Sequence, residues 1–229
     1  MKNKIEFVAF DADDTLWVNE IYFDEFEAKF CALIEKYLPA HQASRDLFET
    51  EMKNLHLYGY GIKGIMLCMI ELICKVVNEK DSSGCVLEII QLGQDLLQKP
   101  VDLLDGVEEV LVELSKKYKL ILATKGDLLD QQRKIQLSGL KKYFHHIEIM
   151  SNKRCSDYSK LIKQQGCRPD NFLMLGNSLK SDIIPVLELG AYAIHIPYHT
   201  TWKHEQCDQN IEHPNFIKLE NITEILDHL

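Results

Sequence analysis

Residues 7–15 read Phe-Val-Ala-Phe-Asp-Ala-Asp-Asp-Thr, so that a short apolar run ends directly at a carboxylate. An apolar run of this length followed at once by polar residues indicates a buried β-strand. In α/β proteins, ligands bind beyond the carboxyl ends of the strands. We therefore predict a functional site at Asp11 and Asp13. The alternative is that Asp13 and Asp14 form a solvated turn that ends the strand.

The stretch from residue 20 to residue 98 has a helical pattern almost throughout. Apolar residues recur at helical spacing in four segments, near 22–37, 47–59, 65–77 and 86–97. We predict that residues 18–99 form a separate helical domain, whereas residues 1–17 and 100–229 form the core. An insertion that leaves from the carboxyl end of a strand is expected to cover the ligand crevice.

After Pro100 the pattern alternates between strand and helix. Short apolar runs at 120–123, 147–150, 172–175, 192–196 and 216–219 are separated by helical segments. Repeated short strands with intervening helices imply a parallel sheet that is covered on both faces. The sequence therefore predicts an α/β fold, with a Rossmann-like parallel sheet core and an inserted α-helical domain.

Composition excludes several classes of partner. The chain has 26 basic and 35 acidic residues and a net charge of −9, which argues against binding a nucleic acid polymer. The longest apolar stretch, 62–77, contains Lys63, Glu71 and Lys75 and is too short to span a bilayer, so no membrane association is expected. Seven cysteines without paired short spacings are typical of reduced thiols and predict a cytoplasmic protein. No particular oligomeric state is predicted.

Polar residues follow the other predicted strands as well. Thr124 follows 120–123, Lys153 follows 147–150, and Asn177 and Asp182 follow 172–175. The carboxyl ends of parallel strands open on one edge of a sheet, so these residues are expected to converge on one site. Two alternatives stay open: Thr124 simply ends a strand, and Lys160 takes the place of Lys153.

The quoted residues resemble the four motifs of the haloacid dehalogenase-like hydrolase superfamily. The matching residues are Asp11-x-Asp13-x-Thr15, Thr124, Lys153 and Gly176-Asn177-Ser178-x-x-x-Asp182. The resemblance extends over the whole chain, because the helical insertion is similar to the first-position cap of this family's phosphatases. It implies a phosphatase that acts on a small phosphorylated metabolite.

The residue types suit hydrolysis of a phosphate monoester, which needs a nucleophile, a proton donor and charge neutralisation. Asp11 is the natural nucleophile and would form an aspartyl-phosphate. Asp13 would protonate the leaving oxygen and then take a proton from water. Thr124 offers a hydroxyl to a phosphoryl oxygen, and Lys153 offers a positive charge.

Charge counting calls for a cation, since three carboxylates and a dianionic substrate face few lysines, and oxygen ligands favour Mg²⁺. The resemblance implies that the ligands are the Asp11 carboxylate, the Asp13 backbone carbonyl and an acidic residue of the fourth motif. This chain departs from the family at that acidic position, which is Asn177. Asp182 is then the expected charged ligand, with Asn177 contributing a carbonyl or holding a metal-bound water.

Three further residues are candidates for substrate binding. Lys125 follows Thr124, whereas Tyr60 and Lys63 belong to an aromatic, glycine-rich turn of the helical insertion, 58–64. If the insertion closes over the site, this turn can reach the substrate; the alternative is an ordinary turn between helices.

The same scaffold is compatible with other functions. A phosphomutase or phosphotransferase would return the phosphoryl group to a substrate hydroxyl, and the four motifs do not separate it from a phosphatase. A non-catalytic binding protein is supported only by Asn177. Dehalogenation is disfavoured by Asp13, because the dehalogenases that the chain resembles lack an acidic residue at that position and need no metal.

Overall fold

A computed structural model describes residues 4–229 of the protein. The first three residues of the predicted core segment 1–17 lie outside this range. Among the described residues, no helix combines the length and the apolar character that crossing a membrane requires.

Among residues 4–229, six short strands form the sheet. They are β1 (Phe7–Phe10), β2 (Lys119–Lys125), β3 (His146–Met150), β4 (Phe172–Gly176), β5 (Tyr192–His195) and β6 (Phe216–Lys218). All neighbouring strands pair in parallel in the order β3-β2-β1-β4-β5-β6. This order confirms the predicted Rossmann-like α/β core.

The helices fall into two groups along the chain. The insertion contains α1 (Glu20–Ile34), α2 (Ala40–Tyr58), α3 (Ile62–Val76) and α4 (Glu79–Leu97). The remaining helices are α5 (Val107–Ser115), α6 (Leu128–Leu137), α7 (Cys155–Gln164), α8 (Ile184–Leu187) and α9 (Ile225–His228).

Alternate residues of β1 point to opposite faces of the sheet, as strand geometry requires. Val8 and Phe10 pack in one apolar layer with residues of α5, including Val110. Phe7 and Ala9 pack in a second layer together with residues of α7. Because both faces are covered, β1 is buried along its whole length and its carboxyl end is a rigid support for the residues that follow.

The chain divides into two compact units. The sheet unit contains the residues up to Glu20 together with Val101–Lys125 and Gln131–Leu229. The helical unit contains Ile21–Pro100 and Gly126–Asp130. The domain limits 17/18 and 99/100 stay a prediction.

The helical unit has its own apolar core, formed by residues of all four inserted helices: Phe30, Leu47, Met69 and Ile89 are among its most buried members. Gly93 of α4 is in close contact with α3, because a Cβ at Gly93 would lie 2.2 Å from Sδ of Met66. A side chain at this position would therefore force the two helices to repack.

The start of α4 differs from the sequence prediction. α4 begins at Glu79 rather than near Val86, because Asn78 accepts a hydrogen bond from Asp81 N at 3.1 Å and caps a polar first turn. α7 begins at Cys155 and is capped by the 2.9 Å bond from Arg154 N to the Asp157 carboxylate. A wide π-turn, Leu179–Ile183, precedes α8.

Candidate active site

Asp11 lies directly after β1, where the strand order of the sheet reverses. β2 and β3 lie on one side of β1, and β4 to β6 lie on the other. The backbone N–H of Asp11 donates to Leu175 O of β4 at 2.8 Å, which fixes the residue between the two halves of the sheet. Open α/β sheets bind ligands at this point, so Asp11 occupies the position that the sequence predicts for a functional carboxylate.

Two buried carboxylates share one buried ammonium at this position. Lys153 Nζ donates to Asp11 Oδ1 in a short contact, and it donates to Asp182 Oδ1 at 2.6 Å. The side chains of Lys153 and Asp182 are each 1% exposed, so water does not screen these charges. The structure therefore brings together three of the predicted site residues, and it places Lys153 rather than Lys160 against Asp11.

When Asp11, Asp182 and Lys153 are all ionised, the cluster carries one excess negative charge. Burial raises the pKa of Asp11 to about 7, because Lys153 only partly offsets desolvation and the nearby Asp182 adds repulsion. Burial alone would lower the pKa of Lys153, but Asp11 and Asp182 raise it above its ordinary value. Lys153 is therefore a permanent cation, and the excess negative charge resides on the carboxylates.

Asp182 reaches this cluster because the chain makes a wide turn after β4. The residue lies in the π-turn, a feature often found at functional sites. Its Oδ2 accepts from Ser178 N at 3.0 Å. A Cβ on Gly176 would lie 2.2 Å from Asp182 Oδ2, so only glycine leaves room for the carboxylate at the end of β4.

The other oxygen of Asp11 and the side-chain oxygen of Asn177 lie near the same hydroxyl. Thr15 Oγ1 lies 3.2 Å from Asp11 Oδ2 and 3.4 Å from Asn177 Oδ1, so both oxygens converge on one hydroxyl. These oxygens and the excess negative charge fit a hard divalent cation such as Mg²⁺. Among residues 4–229, no group of three His, Cys, Asp or Glu side chains is arranged to hold a metal, so a cation here would need amide, backbone or water oxygens as well.

The turn after β1 is held by Asp14. This residue has a φ of 59°, a left-handed conformation that aspartate tolerates better than most residues. Its carboxylate accepts from Asn19 N at 2.8 Å and from Glu20 N at 3.0 Å, and its own N–H donates to Trp17 O at 2.8 Å. The Asp13–Asp14 turn is thus an ordered element, not a solvated strand end.

Asp13 is surrounded by hydrogen-bond donors that the sequence analysis did not identify. Trp17 Nε1 and Lys134 Nζ each donate to Oδ1 at 2.6 Å, and Gln131 Nε2 donates to Oδ2 at 2.8 Å. Gln131 and Lys134 are one turn apart on α6. Nothing in the local sequence links this helix to Asp13, because the sheet topology alone brings them together.

Thr124 lies at the carboxyl end of β2 and is buried. Its hydroxyl accepts from Gln131 Nε2 at 3.2 Å. The same amide therefore contacts both Thr124 and Asp13, which connects two of the predicted catalytic residues.

Lys125 contacts a carboxylate that the sequence analysis missed. Lys125 Nζ donates to Ser181 Oγ at 2.9 Å and, in a short contact, to Glu205 Oε1. The other oxygen of Glu205 accepts from Ser178 Oγ at 2.5 Å and from Ser181 Oγ at 2.6 Å. Glu205 follows the segment 197–202, which lies after β5 and therefore on the functional edge; that position is the signal that would have found it.

Glu205 is expected to stabilise the fold at neutral pH. Although burial acts to raise its pKa, the charge and hydrogen bond of Lys125 and the two serine hydroxyls lower it from 4.5 to about 2. A carboxylate whose pKa is lower in the folded state contributes stability above the unfolded pKa and loses it as the pH falls towards the folded pKa.

We predict that Glu205→Gln lowers the free energy of unfolding at pH 7 by about 3 kcal/mol, and that this deficit shrinks between about pH 4.5 and pH 3. Urea unfolding of both proteins across this pH range measures the effect. Glu212→Gln, at an exposed position, is the control and should match the original protein. A deficit that does not depend on pH would contradict the assignment of the effect to this carboxylate's charge.

Tyr60 and Lys63 lie in the helical unit. Lys63 Nζ forms a salt bridge with the Asp127 carboxylate, at 2.9 and 3.0 Å to its two oxygens. Asp127 also accepts from Asp130 N at 3.0 Å and so caps the start of α6. The ammonium of Lys63 is thus held by a loop residue of its own unit, and its proposed role in substrate binding stays a prediction, as does that of Tyr60.

Comparisons with known proteins show the family to which the chain belongs. The sequence model of the haloacid dehalogenase-like hydrolase family matches residues 5–190. A haloacid dehalogenase-like family hydrolase from Xanthomonas campestris is 34% identical, covers 96% of this chain and 88% of its own, and superposes with a TM-score of 0.84. The Bacillus subtilis HAD-hydrolase YfnB, described as bound to magnesium, is 15% identical, with 98% of each chain covered and a TM-score of 0.64, which shows the fold alone.

Among curated proteins, the N-acylneuraminate-9-phosphatase of Mus musculus is 31% identical over 96 residues, which are 40% of this chain. The match spans 39% of that phosphatase's length, so it concerns less than half of either protein. The family match, by contrast, includes Asp11, Asp13, Thr124, Lys153 and the fourth-motif loop. The chain belongs to the haloacid dehalogenase-like hydrolases.

Proposed function

We propose that the protein hydrolyses a small-molecule phosphate monoester through an aspartyl-phosphate on Asp11. The observation that carries this proposal is the buried Asp11–Lys153–Asp182 cluster at the switch point of the sheet. An anionic nucleophile that must approach an anionic phosphate needs a fixed positive charge beside it. Lys153 meets that need, since both of its carboxylate partners hold it in place.

In the first step, the Asp11 carboxylate attacks phosphorus and the bond to the leaving oxygen breaks. Asp13 gives its proton to that oxygen, so the product leaves as a neutral alcohol. In the second step, Asp13 takes a proton from a water molecule, which attacks the same phosphorus and releases Asp11 and inorganic phosphate. The Thr124 hydroxyl and the Lys153 ammonium bind phosphoryl oxygens in both steps.

The residues around Asp11 also support a Mg²⁺ site. We assign the Asp11 carboxylate, the Asp13 backbone carbonyl and the Asn177 side-chain oxygen to the cation. Asp182 remains the proposed charged ligand, and it also accepts from Lys153 and Ser178 N. The cation would neutralise the negative charge of the phosphoryl group and of Asp11.

A small substrate is supported by the curated relatives, which are phosphatases, and by the net charge of −9, which disfavours a polyanionic partner. Asp13 favours phosphate over halide as the leaving group, because a departing alcohol needs a proton and a halide does not. We place the reaction in the cytoplasm, since all seven cysteines are unpaired thiols.

The test is a panel of phosphomonoesters (sugar phosphates, nucleotides, phosphorylated carboxylic acids and p-nitrophenyl phosphate) assayed for phosphate release with Mg²⁺. We expect at least one compound to be hydrolysed and EDTA to abolish that activity. Re-addition of Mg²⁺ should restore it.

Two results would contradict the proposal. Absence of phosphate release across the whole panel would remove its basis. Conversion of a sugar phosphate into its isomer without free phosphate would show that the phosphoryl group returns to a substrate hydroxyl, as in a phosphomutase.

A further inference from the structure

Asp13 is bonded unequally at its two carboxylate oxygens. Oδ1 accepts two short bonds, from Trp17 Nε1 and Lys134 Nζ, each at 2.6 Å. Oδ2 accepts one bond among the residues that the structure describes, at 2.8 Å from Gln131 Nε2. A carboxylate oxygen has about two in-plane positions for donors, so Oδ1 is filled and Oδ2 keeps one position open.

Burial and further hydrogen bonds hold the three donor side chains, Trp17, Lys134 and Gln131, in place. The Trp17 side chain is buried in the core of the sheet unit. Lys134 is further held by Asn19 Oδ1 at 3.1 Å, and Asn19 N donates to Asp14, which sets the turn after β1. Gln131 is buried and also donates to Lys125 O at 2.9 Å. The carboxylate therefore sits in a rigid frame supplied by the turn after β1 and by α6.

We propose that Trp17 and Lys134 anchor Asp13 through Oδ1, so that Oδ2 is the oxygen that transfers the proton. Gln131 then aligns Oδ2 with the phosphate-binding Thr124, since one amide nitrogen contacts both. Lys134 and Trp17 are positioning residues, because they act through Asp13. This inference rests on the proposed function. It identifies the oxygen of Asp13 that transfers the proton and the side chains that hold Asp13 in position.

The carboxylate of Asp11 forms a bond to phosphorus while the phosphorus–oxygen bond to the leaving group breaks, and its electron pair stays on the leaving oxygen. The proton on Asp13 Oδ2 moves to that oxygen, which leaves Asp13 as a carboxylate. The negative charge left on Asp13 is then stabilised at Oδ1 by the Lys134 ammonium and the indole N–H of Trp17.

The test compares two substrates of nearly the same shape, p-nitrophenyl phosphate and phenyl phosphate, each with Mg²⁺. The first releases a weakly basic oxygen that departs without a proton, whereas the second needs one. Because general acid catalysis contributes about 10²–10⁴-fold, we expect Lys134→Met to slow phenyl phosphate hydrolysis about 30-fold in kcat and p-nitrophenyl phosphate hydrolysis less than about threefold. Lys134→Arg should restore most of the loss.

Trp17→Phe is the second variant, and it should also slow phenyl phosphate hydrolysis more than p-nitrophenyl phosphate hydrolysis. Asp13→Asn removes the general acid and shows the size of its complete loss. Lys141→Met removes an exposed lysine of the same unit and should change neither rate. Equal losses on both substrates, or no loss, would overturn the inference. If the unmodified protein hydrolyses neither compound nor any member of the panel, the proposed function itself fails, which is a different outcome from an active protein whose Lys134 variant is unselective.

Discussion

Replacing Asp11 with asparagine is expected to reduce phosphate release by at least about a thousandfold, since removal of a covalent nucleophile typically costs a factor of this size or more. The amide keeps the size of the side chain but cannot attack phosphorus. The loss should lie in kcat, because Lys153 and Thr124 still bind the phosphate. Steady-state assays with Mg²⁺ on the best panel substrate measure it.

The fold should tolerate this change. Burial raises the pKa of Asp11, which means that folding disfavours its ionised form. A neutral amide at this position should therefore change the free energy of unfolding little. Lys153 keeps Asp182 as its partner at 2.6 Å. Asp105→Asn, at an exposed position of the sheet unit, is the matched control and should retain full activity. An Asp11→Asn protein that keeps more than about a tenth of the activity would exclude Asp11 as the nucleophile.

Replacing Lys153 with methionine is expected to lower the free energy of unfolding by about 3–5 kcal/mol at neutral pH, the usual cost of leaving a buried charge without its partner. The side chain of Lys153 is 1% exposed, and two carboxylates would lose the ammonium that they share. Urea unfolding in EDTA measures the loss without contributions from a bound metal. Phosphate release should fall as well, because the charge beside the nucleophile is gone.

The stability deficit of the Lys153→Met protein should depend on pH. Without Lys153, the pKa of Asp11 would stay raised in the folded state, because burial and the nearby Asp182 both raise it. Groups of this kind stabilise the fold at low pH and lose that contribution as the pH rises, so the deficit should grow from pH 5 to pH 8. The double variant Lys153→Met with Asp182→Asn should recover part of the stability. A single variant as stable as the original protein at pH 8 would show that the cluster is not a buried ion group.

Much of the sheet and its edge could be predicted because the signals are local. The apolar run 7–10 identifies β1. Because successive side chains of a strand point to opposite faces, a continuous apolar run predicts that both faces of the sheet are covered. Asp11 follows β1 directly, and Lys153 and Asp182 lie in the segments after β3 and β4. The rule that parallel strands share one functional edge was therefore enough to group them. The family motifs added the order of these residues along the chain.

The rest of the site depends on contacts that local sequence does not encode. Gln131 and Lys134 have the pattern of an ordinary surface helix, and only the sheet order β3-β2-β1 brings α6 against Asp13. Glu205 lies in an irregular segment that joins the site through two serines of the fourth-motif loop. The start of α4 was missed because its first turns are polar and lack apolar periodicity.

The proposed mechanism requires that the phosphoryl group forms a covalent bond to Asp11. The most direct measurement is acid quenching of the protein during turnover of ³²P-labelled phosphomonoester with Mg²⁺, followed by peptide mapping. We expect label on the peptide that contains Asp11, in an acyl phosphate that hydroxylamine removes, and no label on the Asp11→Asn protein. Rapid turnover in which the protein stays unlabelled, or label on a different residue, would contradict it.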